Sequence, residues 1–202
     1  MEGTVNRKKE VIEICLQTFI VNGLSGTTSR DLSNAMQLQS GGMYYYFESK
    51  DEAVIACAEE ATYQLESQLI MPAVKEVPNP ERMMEHLMSK ADEMAPVMKF
   101  LAQVCSTQKY REQMEPALSR MCDRYEHYAE QLAEMIGCEV FKIKPYLYIC
   151  ITSVTNYMIF GEKAYILPQL EFVMKSLKNE FNCKTNPPIS KQLLKEEESI
   201  VV

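Results

Sequence analysis

Seven apolar side chains, Met114, Leu118, Met121, Tyr125, Tyr128, Leu132 and Met135, follow one another at alternating steps of four and three residues. Only an α-helix turns all of those positions to one side, because its 3.6-residue period stacks i, i+4 and i+7. The spacing predicts a helix over 111–136, ended by Gly137. Elsewhere the pattern repeats. Val11, Cys15, Leu16 and Phe19, with Ile12 widening the stripe, predict a helix over 6–22, and Asn22-Gly23 suit its left-handed stop. Met84, Leu87, Met88 and Ala91 mark a face over 80–94; Pro96 predicts an interruption, with a short helix from Val97 to Ser106. Residues 145–160 read PYLYICITSVTNYMIF, apolar nearly all round, so that helix must be covered on more than one side. Leu170, Val173, Met174, Leu177 and Phe181 stripe a last helix near 168–181. No stretch alternates apolar and polar residues for long, and the fold class that follows is all-α.

Composition bounds the function classes. Hydrophobic residues at 47% and charged residues at 24% describe a chain able to bury a core. No apolar run approaches the 18 or so residues of a membrane span, and MEGTVNRKKE lacks the apolar stretch of a secretory leader. The 7 cysteines are odd in number and contain no C-x-x-C pair, which reads as reduced thiols and a cytoplasmic location. The net charge of −7 argues against a polyanion partner until it is mapped. Residues 1–50 hold five basic and five acidic side chains, so residues 51–202 carry the whole excess. A neutral head on an acidic body lets one end approach a polyanion.

The head has its own punctuation. Thr28-Ser-Arg-Asp31 fits a capping box that opens a short helix, with Leu32, Ala35 and Met36 on its apolar side. Gln37-Leu38-Gln39 then makes a turn, and Ser40 to Phe47 is expected as a second short helix. Ser49-x-x-Glu52 is a second capping box, opening a long helix through about Ile70. Two short helices on a tight turn, backed by a longer one, form the helix-turn-helix pattern of DNA-binding proteins. Ser40, Gly41 and Gly42 are small enough for close backbone approach. Tyr44 and Tyr46 are expected to reach outward with phenolic hydroxyls, which bind phosphate without net charge, and Tyr45 to point the other way, for packing or a flanking contact. Lys50 adds a cation in the first turn of the long helix.

Residues 7–54 resemble the DNA-binding domain of the TetR family of transcriptional regulators, through Phe19, Gly23, Thr27-Thr28, Leu32, the small residues after the turn, Met43-Tyr44, Phe47, Ser49-Lys50 and Val54. The resemblance implies DNA contacts from Thr28, Ser29 and Arg30, a recognition surface of Ser40, Gly41, Gly42, Tyr44 and Tyr46, and a phosphate contact from Lys50. Ser33 stands where that family usually has alanine, and Gly42 where it has threonine, serine or alanine. Gly42 is expected to cost about 1 kcal/mol of helix propensity against alanine. Arg30 is the one strong base-reading group in the set, so specificity is expected to lean on DNA shape.

The resemblance also implies a helical body that binds a small molecule and dimerises through its last two helices. The residues agree in part, because the apolar 145–160 helix and the 168–181 stripe would leave an exposed patch on a single copy. Ile151, Thr155, Leu170, Val173, Met174, Leu177 and Phe181 are the expected dimer interface, placing two heads about 34 Å apart, one DNA turn. An adaptable apolar pocket is expected from Met94, Met98, Phe100, Tyr110, Met114, Met121, Tyr125, Tyr128 and Tyr157, with Asn156 as a polar contact. The chain thus divides into a DNA-binding domain (1–52), a ligand-binding and dimerisation domain (53–182) and a tail (183–202). Its expected partners are double-stranded DNA, a second copy and an apolar or amphipathic effector, with no membrane, cofactor or metal. Asp123 and His127 are four apart but lack a third ligand. The 2 histidines and scattered acids form no catalytic constellation, so an enzyme is not expected. Two other readings remain: a regulator without a small-molecule effector, either constitutive or redox-responsive through Cys105 or Cys122, and an all-helical ligand-binding enzyme.

Overall fold

A computed structural model describes residues 2–39, 41–76 and 79–181. Among the described residues the chain is helical with no strand, so the fold is all-α. Helix α1 (Glu2–Asn22) is followed by α2 (Ser29–Ala35), a 3-10 turn (Gly42–Tyr45) and α3 (Lys50–Leu65). A π-helical turn (Glu66–Ile70) leads into α4 (Met71–Lys75), and α5 (Pro80–Ser106), α6 (Gln108–Ile136), α7 (Val140–Phe160) and α8 (Lys163–Phe181) complete the order. Ser40, the expected tail 183–202 and the side chain of Phe181 lie outside what is described.

Prolines break fewer helices than their sequence positions suggest. Pro96 sits inside α5, Pro116 inside α6, Pro145 inside α7 and Pro168 inside α8, each with the helix continuing past it. The break expected at Pro96 is therefore absent. A proline frees the carbonyl four residues back, here Asp92 for Pro96 and Glu112 for Pro116. All four of these residues are exposed, so water can satisfy what the helix loses.

The described residues form two compact units. One holds the chain up to Glu66 together with Ala95–Met121. Its core is Val11, Cys15, Leu16 and Phe19 of α1, Leu32 and Met36 at α2, Met43 and Phe47 around the 3-10 turn, and Ala53, Val54, Cys57, Ala58 and Ala61 of α3. The small α3 side chains let α1 approach closely, and each large apolar group removed from water contributes about 1.5–3 kcal/mol. Phe19 stacks on Phe100 of α5 with ring centroids 5.7 Å apart.

The second unit holds Ser67–Met94 and the described residues from Cys122 onward. Here α7 packs against α8. Ile143, Leu147, Cys150, Val154 and Met158 are buried on α7, and Ile166, Leu170, Val173 and Leu177 on α8. This corrects one expectation: Leu170, Val173 and Leu177 do not form an open patch on a single copy, because they are already covered. The exposed aromatic surface of the two helices is instead Phe141, Phe160 and Phe172, at 66%, 74% and 56% exposure.

Candidate nucleic-acid interface

Thr28 opens α2 as the sequence suggests. Its extended backbone caps the helix, its Oγ1 accepts from the Asp31 N–H at 3.2 Å, and its own N–H donates to Asp31 Oδ2 at 2.8 Å. The Thr28 hydroxyl donates to the same carboxylate oxygen at 2.6 Å. These bonds, with smaller help from the nearby charges of Arg30 and Lys50, hold the Asp31 carboxyl below the usual carboxylate range. Thr28 and Asp31 thus close on each other at the start of α2, next to Arg30 in the chain. Arg30 is exposed there. Lys50 is half-buried, and its Nζ donates to the Leu24 carbonyl at 3.1 Å, so one of its three donors is spent on fixing the side chain.

Helix α2 ends in a Schellman motif that the residue types disguise. Gln37 takes the left-handed conformation (φ 58°), its N–H donates to Asn34 O at 2.9 Å, and the Leu38 N–H donates to Ser33 O at 2.9 Å. Gly41 (φ 91°) then starts the 3-10 turn from a backbone shape that other residues adopt at a cost. Its neighbour Gly42 is needed for another reason. A Cβ there would overlap the Cβ of Leu38 and lie 3.0 Å from its Cδ1. The glycine therefore provides a close approach rather than only lowering helix propensity, and Ala, Ser or Thr would require Leu38 to move.

Ser33 is fully buried, and its hydroxyl joins the two halves of the motif. Oγ donates to Ser29 O at 3.0 Å within α2 and accepts the Met43 N–H at 3.1 Å from the 3-10 turn. Alanine cannot make that second bond.

The expected helix from Ser40 to Phe47 is only a four-residue 3-10 turn, Gly42–Tyr45. Two glycines at its start, one of them left-handed, leave an α-helix nothing to nucleate on. Three residues per turn splay consecutive side chains about 120° apart. Met43 and Phe47 point inward and are buried. Tyr44 is 58% exposed, Tyr45 85%, and Tyr46 lies between buried and exposed. Tyr45 is thus the most open of the three, which removes packing and leaves the flanking contact of its two expected roles. It meets Tyr46 edge-on at 5.0 Å, which braces both rings. In α3, the Ser49 Oγ accepts from the Glu52 N–H at 3.1 Å, while the Glu52 carboxylate takes the N–H of Glu48 rather than that of Ser49.

No family model matches the chain. Over 52 residues it is 36% identical to the HTH-type transcriptional repressor KstR2 of Rhodococcus jostii. Over 53 residues it is 40% identical to the HTH-type transcriptional repressor KstR2 of Mycobacterium tuberculosis. Each match covers 26% of this chain and 26% of the relative, so the chain spans about a quarter of the length of the curated relatives it matches. The likeness is to helix-turn-helix repressors, over a stretch of helix-turn-helix size.

The expected ligand residues divide between the units. Met98, Phe100, Tyr110, Met114 and Met121 belong to the first, and Met94, Tyr125, Tyr128, Asn156 and Tyr157 to the second. Phe100 is occupied by Phe19, and the buried Tyr110 donates its hydroxyl to Asp51 Oδ1 at 2.8 Å. Burial first, then that hydrogen bond, pushes the Tyr110 phenol up to about 12. Lys109, then Tyr110, hold the Asp51 carboxyl low. In the second unit Met94, Tyr128 and Tyr157 are buried, Tyr125 is half-buried and Asn156 is exposed. Tyr157 donates to Asp92 Oδ1 at 2.6 Å. An open groove of about 830 Å³ lies elsewhere, along Glu13, Gln17 and Val21 of α1 and Gln64 of α3, and none of the expected ligand residues lines it. Among the expected interface residues on α7 and α8, Ile151, Thr155 and Met174 are half-buried. His127 faces Glu130 at 3.5 Å and Gln131 at 3.0 Å. Burial pushes the Cys105 thiol up, which disfavours the reactive thiolate.

Proposed function

We propose that this chain is a DNA-binding transcriptional regulator, a homodimeric repressor of the TetR type that leaves its operator when a small apolar or amphipathic effector binds. The observation that carries this reading is the exposed Tyr44 and Tyr45, with the half-buried Tyr46, on a turn locked to α2 through Ser33, in the same unit as the exposed Arg30 and the half-buried Lys50. Tyrosine hydroxyls, a guanidinium and an ammonium on a head of zero net charge are phosphate and base ligands with little competing negative field. The partial likeness to known helix-turn-helix repressors points the same way. Thr28, Ser29, Arg30, Ser40, Gly41, Gly42, Tyr44, Tyr46 and Lys50 form the DNA-facing set.

Two copies join through α7 and α8. With Leu170, Val173 and Leu177 covered within one chain, the exposed Phe160 and Phe172 and the half-buried Ile151, Thr155 and Met174 are the surface a second copy would cover. The effector lodges in the second unit, where the Met94, Tyr128 and Tyr157 side chains supply apolar area and the Tyr157–Asp92 bond a polar handle. Regulation then follows from the effector's differential affinity for the DNA-competent and released states. The chain acts as a regulator, not an enzyme. Selection of duplexes from a random-sequence library by the full chain, followed by anisotropy titration of a recovered duplex, tests the reading. Enrichment of a palindromic site is the expected outcome; no enrichment over random sequence refutes it.

A further inference from the structure

Arg30 is the one strong base-reading side chain of the DNA-facing set, yet the turn ahead of the 3-10 element carries another group suited to that task. Gln37 and Gln39 hold the only long polar side chains of residues 37–42, and both are exposed. Gln37 belongs to the stop of α2, because its N–H donates to Asn34 O at 2.9 Å. Gln39 opens the next element. Its carbonyl accepts the Gly42 N–H at 2.8 Å, and the Gly41 carbonyl accepts that of Tyr44 at 3.0 Å. The backbone on either side of Gln39 is fixed to buried Ser33, by the Leu38 N–H to Ser33 O at 2.9 Å and the Met43 N–H to Ser33 Oγ at 3.1 Å. Leu38 also lies so close to Gly42 that a Cβ there would overlap it. Among the described residues nothing bonds the Gln39 amide, so its donors and acceptor are unspent. Gly41 and Gly42, which follow, carry no side chain to hold a neighbouring surface away.

We propose that Gln39 is a base-reading residue of the DNA surface, hydrogen-bonding the major-groove edge of adenine. The proposal rests on the DNA-binding reading above. In helix-turn-helix proteins the leading residues of the second element meet base edges, and Gln39 occupies that end here. A glutamine amide sets a donor beside an acceptor, the complement of adenine N7 and its N6 amino group. Being neutral, it displaces no counterion from the duplex, unlike Arg30 or Lys50. Gln39 therefore adds to sequence preference and little to general affinity. Direct readout then stands beside DNA shape as a source of specificity.

The test uses the full chain as wild type, Gln39→Ala, Gln39→Glu, Gln37→Gly and Arg30→Ala. Each protein selects duplexes from a random-sequence library. Each is then titrated by anisotropy onto the duplex that wild type prefers and onto a random-sequence duplex across a KCl series. Gln39→Ala should lose the preference for adenine at one position of the recovered site. It should bind the wild-type site about 5- to 150-fold more weakly, the range for one lost bidentate pair. Its affinity for random sequence and its slope of log K against log salt should match wild type. Gln39→Glu, whose carboxylate only accepts, should exchange that adenine for cytosine. Gln37→Gly should recover the wild-type site. A purely structural role for Gln39 would weaken both duplexes alike with the recovered sequence unchanged, which overturns the proposal. A base change in Gln37→Gly and not in the Gln39 variants overturns it too. If Arg30→Ala alters the recovered sequence and neither Gln39 variant does, the Gln39 assignment falls and the DNA reading stands. If wild type enriches no site, both fall.

Discussion

Replacing Ser33 with alanine removes the hydroxyl that ties the 3-10 turn to α2 and replaces no residue of the proposed DNA-facing set. The Met43 N–H, now bonded to Ser33 Oγ at 3.1 Å inside the core, would lose its partner where water does not reach. Leaving such a donor unsatisfied costs about 1–3 kcal/mol. Ser29 O loses only a secondary donor. Alanine regains roughly 0.5 kcal/mol of helix propensity at that position. The net loss is about 1–2 kcal/mol, and each kcal/mol lowers Tm by about 2–4 °C in a chain of this length. Urea titration would measure the stability, and amide exchange by NMR would locate the change. The Met43 amide should exchange faster in Ser33→Ala, together with Tyr44 and Tyr46, while the amides of α7 and α8 keep their protection. Equal stability and an unchanged Met43 exchange rate would refute the role given to this hydroxyl.

Other substitutions have opposite expected signs. Gly42→Ala drives a methyl into Leu38 and should destabilise by about 1–3 kcal/mol in urea unfolding. Gln37→Gly relieves a left-handed non-glycine residue and should stabilise by up to about 1 kcal/mol in the same assay. For Tyr110 the fold raises the phenol pKa from its ordinary 10.0 to about 12, so the protonated form is favoured in the native state. Its stabilising contribution is complete below pH 10 and is lost as pH rises toward 12; denaturation midpoints should fall across that window and flatten there in Tyr110→Phe. Asp51 has the opposite sign, since its carboxyl is held below 3.8, and its contribution disappears as the solution is acidified below that value.

The parts of the fold that the sequence disclosed are those set by local chemistry. The Thr28–Asp31 box could be read because a hydroxyl and a carboxylate three apart satisfy each other's neighbouring N–H groups wherever a helix begins. The α6 stripe could be read because its period admits one conformation. The stop at Gln37 was hidden, because a left-handed C-terminal residue is usually announced by glycine or asparagine. Periodicity identified the apolar sides of α7 and α8 but carries no information on what covers them. Periodicity alone therefore cannot tell the covered Leu170, Val173 and Leu177 from the exposed Phe141, Phe160 and Phe172. The directions of the three tyrosines are not legible in the sequence, because a period of 3.6 residues does not apply where two glycines leave only a 3-10 turn.

Hydrogen–deuterium exchange of the full chain, with and without a library-selected duplex, bears most directly on which surface meets DNA. Slowed exchange over residues 28–31 and 41–50 on adding the duplex, with α7 and α8 unchanged by it, is the predicted result. Slowing confined to α7 and α8, or none over 41–50, would contradict the account.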